Sequence, residues 1–134
     1  MHTAAQRKAM PGKTVLVVDD NPTVRAQLSE LFLSDGFTVC VQAENGLRAI
    51  DVAAESKPDV IILDLAMPVM NGMDAAPKLK ELLPHTPIIL FSLHSAYLKQ
   101  QELNSFGISD IFTKGDSLDQ LVAKVHKLIE KDEP

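Results

Sequence analysis

Short apolar runs, each ending in a polar or charged side chain, recur along this chain with helical periodicity between them. Residues 15–18 (Val-Leu-Val-Val), 60–63 (Val-Ile-Ile-Leu) and 88–91 (Ile-Ile-Leu-Phe) are continuously apolar. Runs this short, bounded by turn residues, suit strands buried on both faces, as in a parallel sheet. Residues 37–42 instead alternate, with Phe37, Val39 and Val41 on one side and Thr38, Cys40 and Gln42 on the other. That pattern predicts a half-exposed edge strand. A fifth strand is predicted over 108–114.

The intervening segments carry helix signals. Asn21-Pro22 is a cap followed by a proline at the first helical position; Val24, Leu28, Leu31 and Phe32 recur behind it until Asp35-Gly36. Asn45-Gly46 starts a second helix with Leu47, Ile50 and Ala54, closed by Lys57-Pro58. A third is predicted over 73–83 with Ala76, Leu79 and Leu83 inward; Pro77 fits only if the helix proper begins about one turn later than Gly72 suggests. The fourth, within 95–106, has the least regular pattern and ends at Gly107. The fifth opens on a capping box, Ser117 and Gln120, and has the strongest amphipathic pattern: Leu118, Leu121, Val122, Val125, Leu128 and Ile129.

Five strands alternating with five helices imply an α/β fold, a doubly wound parallel sheet covered on both faces with right-handed crossovers. The alternating second strand belongs at an edge, which fits strand order 2-1-3-4-5. Strands one and three then flank the switch point, where open α/β sheets place their chemistry.

Composition narrows the function. The 134 residues suit one domain, expected over 13–131 between a flexible lead-in (1–12) and a short tail (132–134). A net charge of −5, no Trp and a single Tyr argue against nucleic-acid binding and against a basic membrane-binding surface. Cys40 alone permits no internal disulfide, and no Cys/His cluster has zinc spacing. No run is long enough to span a bilayer, and residues 1–13 lack the apolar core of a signal peptide. A cytoplasmic protein is expected.

The polar residues ending the strands form a set. Asp19-Asp20 follow strand one, Asp64 ends strand three, Ser92 ends strand four and Lys114 ends strand five. Taken singly, a strand-end Asp can be a helix cap, and Ser92 or Lys114 a solvated surface residue. Together they place three carboxylates, a hydroxyl and an ammonium around one point. Three neighbouring carboxylates repel unless a cation sits among them, and hard oxygen ligands suit Mg²⁺ or Mn²⁺. The set fits phosphoryl transfer onto a carboxylate, with metal and Lys114 neutralising the phosphoryl oxygens and Ser92 donating to one.

The segments V-L-V-V-D-D-N-P, D-V-I-I-L-D-L-A-M-P-V-M-N-G, I-I-L-F-S and F-T-K resemble the receiver domain of two-component response regulators, a flavodoxin-like phospho-acceptor family, over residues 13–131. The resemblance implies that Asp64 is phosphorylated, and that Asp20, Asp64 and the Ala66 backbone carbonyl bind Mg²⁺ directly, with Asp19 acting through water. Ser92 would be the switch hydroxyl and Lys114 the ion-pair partner of the phosphoryl group. It further implies a phosphohistidine donor on a sensor histidine kinase or phosphotransfer protein. The output would pass through a rearranged surface of helix four, strand five and helix five to a protein partner, a homodimer or an output domain.

Several positions depart from the family pattern. Ile111 stands where an aromatic or His switch residue is usual, while Phe112 should face the other way. Gly115 replaces a proline, and bulky Leu93 replaces a small residue and could shield the acceptor. Ala66 and His94 occupy the positions that tune phosphoryl lifetime. His2, His85 and His126 are expected on the surface. These departures keep open a second reading, a phosphorylation-independent interaction module with the same fold. A third, a haloacid-dehalogenase-type hydrolase, lacks the second Asp of its D-x-D motif after Asp64.

Overall fold

A computed structural model of the chain describes residues 10–93 and 100–132. Its elements are β1 (Met10–Val18), α1 (Pro22–Ser34), β2 (Phe37–Ala43), α2 (Gly46–Ser56), β3 (Val60–Asp64), α3 (Gly72–Leu82), β4 (Ile88–Ser92), α4 (Gln100–Ser105), β5 (Asp110–Thr113) and α5 (Leu118–Asp132). The strands pair in parallel in the order β2-β1-β3-β4-β5, as expected. His2, His94, residues 95–99 of the expected fourth helix and residues 133–134 lie outside the described residues.

Successive strand residues point to opposite faces, and helices cover both, so the central strands are apolar throughout. Val15, Val17, Ile62, Ile89 and Phe91 pack with Leu28 and Phe32 of α1 and Leu121, Val122, Val125 and Ile129 of α5. Leu16, Val18, Ile61, Leu63 and Leu90 pack on the other side against small residues: Ala49 and Ala53 of α2, and Ala75 and Ala76 of α3.

The structure corrects the expected boundaries in several places. β1 begins at Met10, inside the segment read as a flexible lead-in. Residues 11–13 stand opposite residue 38 alone, and Gly12 accommodates the bulge at φ +78° with its N–H on Thr38 Oγ1 at 2.7 Å. At the other end, α5 runs to Asp132, into the expected tail. β5 is shorter than expected, although flanking backbone bonds from Ser109 N–H to the Ile88 carbonyl and from Lys114 N–H to the Ser92 carbonyl continue its pairing with β4.

α2 buries Gly46, Ala49 and Ala53 rather than Leu47 and Ala54, which are exposed. Its N-terminus lies against the β3–α3 loop, where Gly46 N–H donates to the Met70 carbonyl at 3.0 Å, and so selects the small-residue face. α3 begins at Gly72, with Pro77 inside it rather than in its first turn. Asn71 caps it by accepting the Asp74 N–H at 2.9 Å, and Pro77 lies on the exposed face. Pro77 therefore costs one helical hydrogen bond without disturbing the buried side.

Candidate functional site

The C-terminal ends of β1, β3, β4 and β5 bring all five strand-end residues together. Asp19, Asp64 and Ser92 are buried, at 1%, 3% and 3% exposure, while Asp20 faces solvent. One carboxylate oxygen from each of Asp19, Asp20 and Asp64 lies within 4.8 Å of the others. Lys114 reaches in from β5, with Nζ 3.1 Å from Asp64 Oδ1 and 3.3 Å from Asp19 Oδ2.

The site is short of positive charge. Burial pushes the Asp64 carboxyl above its ordinary range; Lys114 and the Ala66 N–H pull it back, and Asp19 pushes it further up. Lys114 is held above its ordinary range although burial alone would lower it, because Asp64 and Asp19 together outweigh that cost. The two directions agree once charges are counted: one ammonium serves both Asp64 and Asp19, with the Asp20 carboxylate beside them. Asp19 Oδ1 accepts the Asn21 N–H at 2.9 Å, but among the described residues buried Oδ2 accepts no hydrogen bond and has the charge contact with Lys114. A buried carboxylate oxygen normally has a donor or a cation. The oxygen-only donor set fits a hard divalent cation such as Mg²⁺.

The β3–α3 loop shapes the site's rim. Leu65 N–H bonds the Phe91 carbonyl (3.1 Å) and Gly72 N–H bonds the Leu65 carbonyl (2.9 Å). Between them, Met70 N–H bonds the Pro68 carbonyl at 2.7 Å, a three-residue turn that puts Val69 at φ +68°. Asp64, Leu65, Ala66, Ser92, Leu93 and Lys114 line a cleft of about 140 Å³. That is below the roughly 300 Å³ lower bound for drug-sized ligands, so the enclosed part of the cleft suits a phosphate-sized group.

Leu93 stands at the edge of this cleft, 65% exposed, beside the buried Asp64. Ile111 is partly buried on the α2–α4 side, and Phe112 is buried on the α1–α5 side, as strand alternation predicts. His126 is not a surface residue. Its side chain is 12% exposed, and Nε2 lies 2.5 Å from Oδ2 of the buried Asp35, joining α5 to the end of α1. Its place in the amphipathic pattern, one residue after Val125, hid this partner.

The profile of the response regulator receiver domain matches residues 15–126. The chain belongs to this family. It is 32% identical over 117 residues to the chemotaxis protein CheY of Thermotoga maritima, covering 87% of this chain and 98% of that protein. It is 41% identical over 91 residues to the autoinducer 1 sensor kinase/phosphatase LuxN of Vibrio harveyi, covering 68% of this chain and 11% of that protein. The crystal structure of the response regulator protein TrrA from Thermotoga maritima, in complex with Mg(2+)-BeF, superposes with a TM-score of 0.77 at 33% identity, covering 87% of this chain and 98% of that one.

Two further residues of this receiver domain bear on the site and were not singled out by sequence reasoning. Arg25, one turn into α1, donates from Nη1 to the Asp19 carbonyl at 2.6 Å and from Nε to Gln42 at 3.3 Å, bracing the β1 end. Phe91 lies under the Lys114 ammonium. An Arg among helix-surface positions and a Phe inside an apolar run look like ordinary occupants of those elements, so neither carried a signal. No helix among the described residues is long and apolar enough to cross a membrane.

Proposed function

We propose that this receiver domain is the phospho-acceptor of a two-component system. Asp64 takes a phosphoryl group from a phosphohistidine on a sensor histidine kinase or phosphotransfer protein. The observation that carries this reading is the Lys114 ammonium set between the buried carboxylates of Asp64 and Asp19, beside a phosphate-sized cleft. An Asp64 oxygen forms the new P–O bond as the donor's P–N bond breaks. Lys114 and the Ser92 hydroxyl, at the cleft's wall, hold phosphoryl oxygens. Asp19 is fixed by Asn21 and Arg25 so that it does not turn away.

Asp20, Asp64 and the Ala66 carbonyl, with Asp19 through water, would hold Mg²⁺, which when bound neutralises charge on the transferring group. TrrA is recorded with Mg²⁺, and nothing favours Mn²⁺. The domain turns over no external product; it catalyses its own phosphorylation and dephosphorylation. Output passes through the α4–β5–α5 surface to a protein partner, a second copy or an output domain, without nucleic-acid contact by this domain. The cytoplasm, where ATP feeds such kinases, is the setting.

Intact-mass measurement with Mg²⁺ and a small-molecule phosphodonor tests this. One phosphoryl adduct is expected, absent in Asp64→Asn and in EDTA. No adduct, together with no binding of beryllofluoride, would overturn the reading and leave the phosphorylation-independent module.

A further inference from the structure

Phe91 and Phe112 are paired in register across β4 and β5, and their rings stack at 5.4 Å between centroids and 17° between planes. Both are buried, at 5% and 2% exposure, on the α1–α5 side of the sheet. The Lys114 Nζ lies 5.1 Å from the centre of the Phe91 ring while it touches Asp64 and Asp19. The ring's electron-rich face attracts the ammonium, and this attraction strengthens where water is excluded.

We propose that Phe91 is a positioning residue for phosphoryl-group binding: its ring fixes the Lys114 ammonium between Asp64 and Asp19, and Phe112 buttresses that ring against α5. This rests on the phospho-acceptor reading above and extends it to a residue with no polar atom. It also gives the site a packed connection to α5 that bypasses Ile111. That residue lies on the opposite side of the sheet, with α2, α3 and α4. The chain is Lys114 to Phe91, Phe91 to Phe112, and Phe112 to the cluster containing Leu121, Val122 and Val125.

A flexible lysine without this ring samples more orientations, and each orientation lost to the anion lowers its affinity. Mg²⁺ is held by carboxylates and does not need Lys114. The ring's contribution therefore falls on the anion and not on the metal, which a general packing role would not produce.

The test compares wild type, F91L, F91Y and F112L by calorimetric titration, first with Mg²⁺ alone and then with beryllofluoride in saturating Mg²⁺. The Lys114 ammonium resonance is followed by NMR in the metal-free proteins. F91L should lose roughly three- to tenfold in beryllofluoride affinity, the range a cation–π contact supports, with Mg²⁺ affinity retained and the Lys114 resonance shifted. F91Y, which keeps an aromatic face, should restore both, and F112L should show a smaller loss of the same kind. Equal loss of Mg²⁺ and beryllofluoride in F91L, or no change in either, would overturn the proposal. Failure of wild type to take up beryllofluoride would instead sink the phospho-acceptor reading. Even then, an unshifted Lys114 resonance in F91L would show separately that the ring does not position the lysine.

Discussion

Gly72 passes so close to Asp64 that a Cβ on it would sit 2.4 Å from the Asp64 carbonyl oxygen and 3.0 Å from the Leu65 Cα. Both neighbours are backbone, so neither can swing aside. The start of α3 is therefore seated directly on the residue that ends β3.

Gly72→Ala should force that seat open. A loss of about 2–3 kcal/mol is expected, the upper range for forced overpacking, together with weaker Mg²⁺ binding because Asp64 is displaced. Urea denaturation and a Mg²⁺ titration check both. A variant within about 0.5 kcal/mol of wild type, the usual spread for neutral surface changes, would show that the close approach constrains nothing.

Val69 offers the opposite case. It is 77% exposed and holds φ +68°, a region costly for a β-branched residue. The left-handed conformation costs about 1–2 kcal/mol, and a glycine there would give back about 0.4–1 kcal/mol in unfolded-state entropy. Val69→Gly should therefore raise stability by about 0.5–1 kcal/mol, the difference between those two effects. A lower urea midpoint would refute this.

These two residues also mark where the sequence was legible. Strand order follows from the alternating second strand, which belongs at an edge, and the site residues follow from apolar runs that give way to a polar residue, because burial on both faces leaves no other place for a charge. Boundaries were less visible. β1 starts early because Gly12 permits a bulge against Thr38, a long-range pairing that local pattern does not encode. The buried face of α2 was only partly legible: Ile50 packs on the core, but the fully buried positions are Ala49 and Ala53, weak hydrophobic signals beside the exposed Leu47. Arg25 and His126 act through partners distant in sequence, Gln42 and Asp35, which no periodicity reveals.

Asp20 should show the cost of the carboxylate cluster. It is exposed and lies within 4.8 Å of two other carboxylates. Asp20→Asn should stabilise the metal-free protein by up to about 1 kcal/mol, the scale of an exposed charge pair. Wild type with Mg²⁺ at about 100 times its Kd should gain about 2.7 kcal/mol by mass action, and the variant much less at the same concentration. Thermal unfolding in EDTA and in Mg²⁺ measures both. An equal Mg²⁺ gain in the variant would remove Asp20 from the metal site.

The His126–Asp35 contact ties α5 to the end of α1 through two residues 91 apart in sequence. His126→Leu removes one partner of a buried carboxylate, so a loss of about 1–3 kcal/mol is expected. Asp35→Asn alone and combined with His126→Leu completes a double-mutant cycle. Additive losses would mean that the two side chains do not interact in solution.

Asp64 should give the metal-free protein a pH signature of known sign. Its carboxyl is held above the ordinary value of 3.8, chiefly by burial. Between that value and the raised one, the folded protein binds more protons than the unfolded chain, so stability falls as pH rises through the window. Asn at this position titrates nowhere in the range, and Lys114 stays charged throughout because its own value is raised from 10.5. The stability of Asp64→Asn relative to wild type, measured in EDTA, should therefore increase from about pH 4 towards neutrality, spanning the carboxylate range. At neutral pH wild type carries the full cost of a buried, under-compensated carboxylate, and Mg²⁺ should erase most of the difference. A gap between the two proteins that stays flat with pH would mean that Lys114 already balances Asp64. The charge shortage argued for this site would then be wrong.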